Sequence, residues 1–256
     1  MAQSNIEWTE MTWNPTTGCS KVSAGCKFCY AEALSKRLKA MGHQKYQNGF
    51  EVTQHPEALK VPYTWRKPRL VFVNSMSDLF HEEVEIDFIQ DVFKVMRENP
   101  KHTFQILTKR SERLKELSPL IDWPENVWMG VSVEDYRVKD RIDHLRNTGA
   151  FIKFLSLEPL IGPVYELNLE NIDWAIVGGE SGPKARPLKK EWITNIKKQC
   201  KKSGVPFFFK QWGKPDFNPA SSDPTIKSNH PNHAKGGCLL NGKIYREFPS
   251  LNLIKN

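Results

Sequence analysis

Short apolar, β-rich runs alternate along this chain with segments of helical periodicity. The runs are Met11–Trp13, Phe50–Thr53, Leu70–Val73, Thr103–Leu107, Val127–Val131, Phe151–Leu157, Trp174–Val177 and Val205–Phe209. Between them, Leu34, Leu38 and Met41 share one helical face, and Phe88, Ile89, Val92, Phe93 and Met96 form a second apolar stripe. Trp192, Ile193, Ile196 and Cys200 form a third. Repeated strand–helix units predict parallel strands joined by helical crossovers. Up to eight such strands predict an α/β fold of the (β/α) barrel type, partial or complete, although spacing alone also admits an open two-faced sheet. The pattern changes beyond Gly213: Lys214–Lys235 is rich in Pro, Ser, Asn and His, and Cys238–Tyr245 reads as a β-hairpin with Asn241-Gly242 at its turn. The expected division is therefore a barrel over 1–213 and a small appendage over 214–256 packed on it.

Composition narrows the class. With 256 residues, 26% of them charged and 39% hydrophobic, the chain has the balance of a soluble globular protein. No run approaches the length of a membrane span and no signal peptide is evident, so the expectation is a cytoplasmic protein with no membrane partner. A formal net charge of +8 favours a polyanionic partner. The excess is spread widely, and runs such as Lys197-Lys198 and Lys201-Lys202 also suit a solvated helix face.

The cysteines carry the chemistry. Cys19, Cys26 and Cys29 fall in one glycine-punctuated loop just before an amphipathic helix. An iron–sulfur cluster fully ligated by protein takes four thiolates. A set of three leaves one metal position open for a substrate or cofactor. A structural zinc ion needs four ligands, and a fourth would have to come from Cys238, His233 or another histidine far along the chain. Disulfides are disfavoured by the odd count of five cysteines. Cys200 falls on an apolar helix face and reads as a buried thiol, and His230 and His233 read as solvent-exposed loop side chains.

In (β/α) barrels the reactive residues follow the C-terminal ends of the strands. Here those places read Asn74-Ser75-Met76-Ser77-Asp78, Thr108-Lys109-Arg110, Ser132-Val133-Glu134-Asp135, Glu158-Pro159, Gly178-Gly179-Glu180-Ser181-Gly182 and Lys210-Gln211-Trp212. Together with the cysteine loop they describe a cavity of hydroxyls, cations, carboxylates and a glycine turn. Ordinary solvated loops are the plainer alternative. Glu158, Glu180 and Lys210 are the candidate catalytic groups on the substrate side: carboxylates accept from ring N–H groups or move protons. Trp212 is either a stacking platform or a lid over the core.

A cysteine triad after the first strand of such a fold, with the aromatic Tyr30 just behind the last cysteine, resembles the radical S-adenosylmethionine superfamily. The commonest spacing there is Cys-x3-Cys-x2-Cys, whereas six residues separate Cys19 from Cys26 here. The chain from about Trp8 to Pro249 also resembles a family of phage and bacterial proteins of poorly defined function. The phrases that carry this are Gly18-Cys19 through Cys29-Tyr30-Ala31-Glu32, Asn74 through Phe80, Leu157-Glu158-Pro159-Leu160, Gly178 through Gly182 and Phe207 through Gly213. A more distant likeness is to the spore photoproduct lyase branch, whose members act on thymine lesions in DNA.

The resemblance implies a [4Fe–4S] cluster on Cys19, Cys26 and Cys29, with S-adenosyl-L-methionine on the open iron and a 5′-deoxyadenosyl radical as the reactive product. It implies cofactor contacts from Tyr30, Ser75, Ser77, Asp78, Lys109, Ser132 and the Gly178-Gly179 turn. A flavodoxin- or ferredoxin-type protein would donate the electron. The substrate implied is a nucleobase in nucleic acid or a nucleotide. A peptide or small metabolite as substrate, and a non-catalytic zinc- or cluster-stabilised nucleic-acid-binding protein, are the alternatives. The lyase's hydrogen-donor cysteine has no evident counterpart in this sequence.

Overall fold

The computed structural model describes residues 6–220 and 222–250. It is a mixed α/β fold whose seven-stranded sheet has the order β1 (Met11–Trp13), β4 (Leu70–Val73), β5 (Thr103–Thr108), β6 (Val127–Ser132), β7 (Ile152–Leu157), β8 (Trp174–Gly178) and β9 (Phe207–Gln211). The pairs β1·β4, β4·β5, β5·β6, β7·β8 and β8·β9 are all parallel. Strand order follows chain order without reversal. That is single winding, consistent with a partial (β/α) barrel, whereas a doubly wound sheet reverses direction at a switch point.

One predicted strand is not part of this sheet. Of the Phe50–Thr53 region only Thr53 is in a strand, the two-residue β3 (Thr53–Gln54), which pairs antiparallel with β2 (Thr16–Thr17). Phe50, Val52 and Thr53 are half-buried and Glu51 is exposed, which lacks the two-sided burial of a parallel strand.

The chain forms two compact units: residues up to Val131 with Asn147–Ile152, and Ser132–Arg146 with Lys153 onward. In the first unit, α2 (Ile86–Glu98) buries Phe88, Ile89, Val92, Phe93, Val95 and Met96, each worth about 1.5–3 kcal/mol of hydrophobic stabilisation. Helix α3 (Ser111–Leu117) follows β5. Helix α1 (Tyr30–Ala40) departs from the expected face. Leu34 and Met41 are 39% and 70% exposed, while Ala31 and Ser35 are buried and Leu38 packs on the cluster of Ala31, Tyr46 and Met76. The covered face is thus 31–35–38. Small residues there let the helix approach closely, so hydrophobicity alone points to the wrong side.

The second unit holds α4 (Arg141–Arg146), β7, β8, α5 (Lys190–Ser203) and β9. Helix α5 buries Ile193, Ile196 and Cys200 of its predicted stripe, while Trp192 is only half-buried. It ends at Gly204, φ 69°, where Gly204 N–H and Val205 N–H donate to the Lys201 and Cys200 carbonyls, a Schellman closure. Asn241 and Gly242 both have positive φ at the expected turn, and Leu240 bridges Lys243. Beyond the turn the chain runs antiparallel along β9: Phe209 N–H donates to the Tyr245 carbonyl (2.8 Å) and Glu247 N–H to Phe207 (3.3 Å). Of the expected barrel and appendage, residues 1–5, 221 and 251–256 lie outside the described residues. Among the described residues no helix is long and apolar enough to cross a membrane.

Candidate functional site

In the first unit the loops after β1, β4 and β5 are tied together. Gly18 bridges Ser77 and donates from its N–H to the Met76 carbonyl (3.1 Å). Thr16 Oγ1 and Ser77 Oγ lie 2.7 Å apart, Ser77 Oγ donates to the Thr16 carbonyl (2.9 Å), and Ser75 Oγ donates to Asn14 Oδ1 (3.2 Å). The Tyr30 hydroxyl donates to the Ser75 carbonyl. Tyr30, Ser75 and Ser77, candidates from separate parts of the sequence, are therefore neighbours of the cysteine loop.

All five cysteines are free thiols. Cys200 and Cys238 are buried, and Cys19, Cys26 and Cys29 are half-buried. Cys26 closes a 3-10 turn over Ala24–Cys26, its N–H donating to the Ser23 carbonyl (3.0 Å), and Cys29 is the residue that opens α1. Among the described residues no set of three or more His, Cys, Asp or Glu side chains gathers at the spacing of a single metal ion. Thiolates about 2.3 Å from one tetrahedral ion stand about 3.8 Å apart. The three half-buried thiols of this loop are soft sulfur donors, the ligand chemistry that an iron–sulfur cluster takes.

Asp78 is the hub beneath this loop. It is buried, and Oδ1 accepts from Phe80 N–H (3.1 Å) and Thr108 Oγ1 (2.7 Å) while Oδ2 accepts from Lys109 N–H (3.0 Å). The Asp78 carboxylate thus fixes the Thr108-Lys109-Arg110 strand end. Lys109 is held there through its backbone.

Arg110 is the residue that sequence reasoning passed over. Its Nε donates to both oxygens of Glu82 (3.1 and 3.0 Å), Nη2 to Ser20 Oγ (2.8 Å) and the Ser20 carbonyl (3.2 Å), and Nη1 to Cys19 Sγ (3.5 Å). Asp78 Oδ2 lies 3.6 Å from Nη1. Burial opposes the Arg110 charge, but Asp78, Cys19 and Glu82 outweigh it and hold its pKa above the ordinary value. Burial, helped by the Asp78 carboxylate, pushes the Cys19 thiol up to about 11 against the pull of Arg110. Its partner Cys19 lies 91 residues away, so the local sequence around Arg110 does not reveal the pairing.

In the second unit Ser132 ends β6 fully buried, its carbonyl accepting from Arg141 Nη1 (2.8 Å), which also pairs with buried Glu134 (2.9 Å). Glu158, Gly178 and Lys210 meet at the ends of β7, β8 and β9. Lys210 Nζ donates to Glu158 Oε1 at 2.7 Å, and Gln211 Nε2 lies 3.4 Å from the same oxygen. Consecutive strand residues normally point to opposite faces. Here the register slips between Val177 and Gly178, which pair with Phe209 and Gln211. The bulge sets Lys210 between these two register partners, so both residues turn toward Glu158.

A Cβ on Gly178 would lie 3.1 Å from Glu158 Cδ, and one on Gly179 would lie 2.2 Å from the Trp212 carbonyl oxygen. Close approach of the Trp212 backbone therefore requires glycine at 179, and a side chain at 178 would press on the Glu158 carboxylate. Glu180 is buried, and its carboxylate accepts from Arg186 N–H (2.9 Å), Nε (2.8 Å) and Nη2 (2.6 Å). Trp212 is 1% exposed and donates from Nε1 to the Leu239 carbonyl (3.0 Å), which makes it a lid over the core and removes it as a stacking surface. His230 and His233 serve local turns: His230 Nδ1 accepts from Asn232 N–H (3.0 Å), and His233 Nδ1 lies 3.2 Å from the Thr225 carbonyl.

No curated protein matches this chain. It is similar to a solved structure titled spore photoproduct lyase complexed with dinucleoside spore photoproduct, at 14% sequence identity and a TM-score of 0.46, over 78% of this chain and 63% of that one. It thus spans less than two thirds of that protein's length. The family model described as protein of unknown function (DUF5131) matches residues 3–249, and the chain belongs to that family.

Proposed function

We propose that this chain is a radical S-adenosylmethionine iron–sulfur enzyme acting on a nucleobase, in nucleic acid or as a nucleotide. The observation that carries this reading is the donor set: three free, half-buried thiols in one loop after β1, one of them facing a guanidinium. When bound, the cluster and S-adenosylmethionine supply reductive cleavage of a sulfonium carbon–sulfur bond and, through it, hydrogen abstraction from an unreactive carbon.

The chain's own residues bind, orient and exclude water. Cys19, Cys26 and Cys29 would hold the cluster. Ser75 and Ser77 donate their hydroxyl protons within the protein, which leaves oxygen lone pairs for hydroxyl or ammonium groups of the cofactor. Tyr30, an exposed residue, would flank the adenine. Lys109 would meet the methionine carboxylate, with Asp78 fixing its backbone.

Glu158 and Lys210 are assigned to the substrate, as an acceptor for a base N–H and a cation for a carbonyl or phosphate oxygen. Glu180, already engaged by Arg186, would hold the loop that follows it. The net charge of +8 suits a polyanionic substrate. A flavodoxin- or ferredoxin-type donor would supply the electron. Residues 214–256 would act as an appendage on a catalytic barrel over 1–213.

Iron, sulfide and zinc content of protein prepared without oxygen tests this directly, followed by release of 5′-deoxyadenosine after reduction with S-adenosylmethionine. Iron and sulfide near four each, with 5′-deoxyadenosine release, both lost in Cys26→Ala, is the expected result. Stoichiometric zinc without cofactor cleavage would overturn it. Salt-sensitive binding of DNA or RNA separates the nucleobase reading from a peptide or metabolite substrate.

A further inference from the structure

Cys19 is the most firmly held of the three cysteines, and a buried cation does the holding. The Arg110 side chain is 3% exposed. Its fork is clamped on one edge by Glu82 and on another by Ser20, which leaves Nη1 aimed at Cys19 Sγ.

The Ser20 hydroxyl is itself constrained. His81 Nδ1 accepts from Glu83 N–H (3.2 Å), so the ring proton sits on Nε2, 2.8 Å from Ser20 Oγ. That oxygen therefore accepts from both His81 and Arg110, which uses both of its lone pairs. The backbone adds two further ties, Cys19 N–H to the Phe50 carbonyl (3.1 Å) and Gly18 N–H to Met76. Cys26 Sγ, by contrast, has the neutral Ser23 hydroxyl at 3.9 Å.

We propose that Arg110 is a positioning residue that fixes the Cys19 thiolate by a charge-assisted hydrogen bond and raises the reduction potential of the iron–sulfur centre, an inference that rests on the cluster reading above. Hydrogen bonds to ligand sulfurs and nearby positive charge stabilise the reduced, more negative cluster. Partners of this kind orient a ligand as well as tuning the metal. Asp78 and Glu82 compensate the guanidinium while the sulfur is protonated, and the thiolate adds a third anionic partner once it is a ligand. Loss of the guanidinium removes both the donor and the charge, and both changes disfavour the reduced form.

The test is the midpoint potential of the reconstituted centre in the full chain, followed by its reduced-state electron paramagnetic resonance signal, for the wild type, Arg110→Gln and Arg110→Lys. Arg110→Gln is expected to weaken reduction about tenfold or more, a negative shift of at least about 59 mV for one electron. Arg110→Lys keeps the charge but not the fork, and its shift should be smaller and of the same sign. A purely structural role would lower cluster occupancy or thermal stability and leave the potential of the remaining centres unmoved, and that result overturns the inference while the cluster reading stands. If Arg110→Gln does not fold, Arg110→Lys decides in the same way. A wild type that takes up no iron or sulfide overturns the cluster reading and this inference together.

Discussion

Replacing Asp78 by asparagine removes one acceptor atom from the centre of the first unit's loop network and changes almost no volume. The carboxylate fills three hydrogen bonds, two of them with backbone N–H groups, at 6% exposure. An asparagine oriented to keep Oδ1 toward Phe80 and Thr108 must turn its NH2 toward the Lys109 N–H, donor against donor. The lost bond to a charged acceptor is worth about 1.5–3 kcal/mol, and a buried donor left unsatisfied costs about 1–3 kcal/mol on its own. The two figures overlap, so a total of about 2–4 kcal/mol is expected. At about 2–4 °C per kcal/mol for chains of this size, the melting temperature should fall by about 4–16 °C. Amide exchange at Lys109 should accelerate more than at Phe80, whose acceptor survives. Thermal unfolding with hydrogen exchange on the wild type and Asp78→Asn measures both. A melting temperature within about 2 °C of the wild type, with unchanged Lys109 exchange, would refute the hub role.

Three further outcomes are expected. In the second unit the Asp223 carboxylate, despite burial that acts to raise its pKa, is held below the ordinary range by hydrogen bonds from Thr225, Leu239 and Asn218. A depressed folded-state pKa gives stability that is present above the unfolded pKa and lost as pH falls through the folded one; the stability gap between wild type and Asp223→Asn should hold down to about pH 4 and then close, and a gap undiminished at about pH 2 contradicts the assignment. Gly179→Ala forces a Cβ to within 2.2 Å of the Trp212 carbonyl, and a backbone shift of that kind should cost about 1–3 kcal/mol or more, read as a lower urea midpoint. For the Glu158–Lys210 pair, Lys210→Met and Glu158→Gln should each destabilise by about 1–3 kcal/mol while the double variant loses less than their sum, a coupling of about 0.5–3 kcal/mol; additive losses would show that the pair does not interact.

The parts of this molecule legible in the sequence are those set by periodicity. Runs such as Leu70–Val73 and Trp174–Val177 became parallel strands because burial on both faces demands continuous apolar residues. The stripes of α2 and α5 were legible because a helix with one covered face repeats its apolar residues at the 3.6-residue period. Helix α1 misled because its buried face is lined by Ala31 and Ser35, residues that permit close approach and give little hydrophobic signal. In the candidate site, the cysteines and the polar strand ends were visible as phrases, but the partners that orient them were not. Asp78 with Thr108, Arg110 with Cys19 and Lys210 with Glu158 are separated by 30, 91 and 52 residues. The bulge that turns Lys210 toward Glu158 is a register slip between two strands, and neither strand's own sequence records it.

The chain segment that runs along β9 has a consequence for synthesis. Phe207, Phe208 and Phe209 form a strand whose second edge is satisfied by Tyr245 and Glu247, with the Trp174 indole also donating to the Glu247 carbonyl (2.7 Å). At about 5–20 residues per second, Trp212–Glu247 takes roughly 2–7 s to emerge after β9 does. Through that interval a phenylalanine-rich strand presents an unpaired edge, the feature from which strand-to-strand association starts. Slow translation through 212–247, or release of the chain before Glu247, should therefore lower the soluble yield more than the same delay placed within α2 or α3, whose backbone groups are satisfied locally.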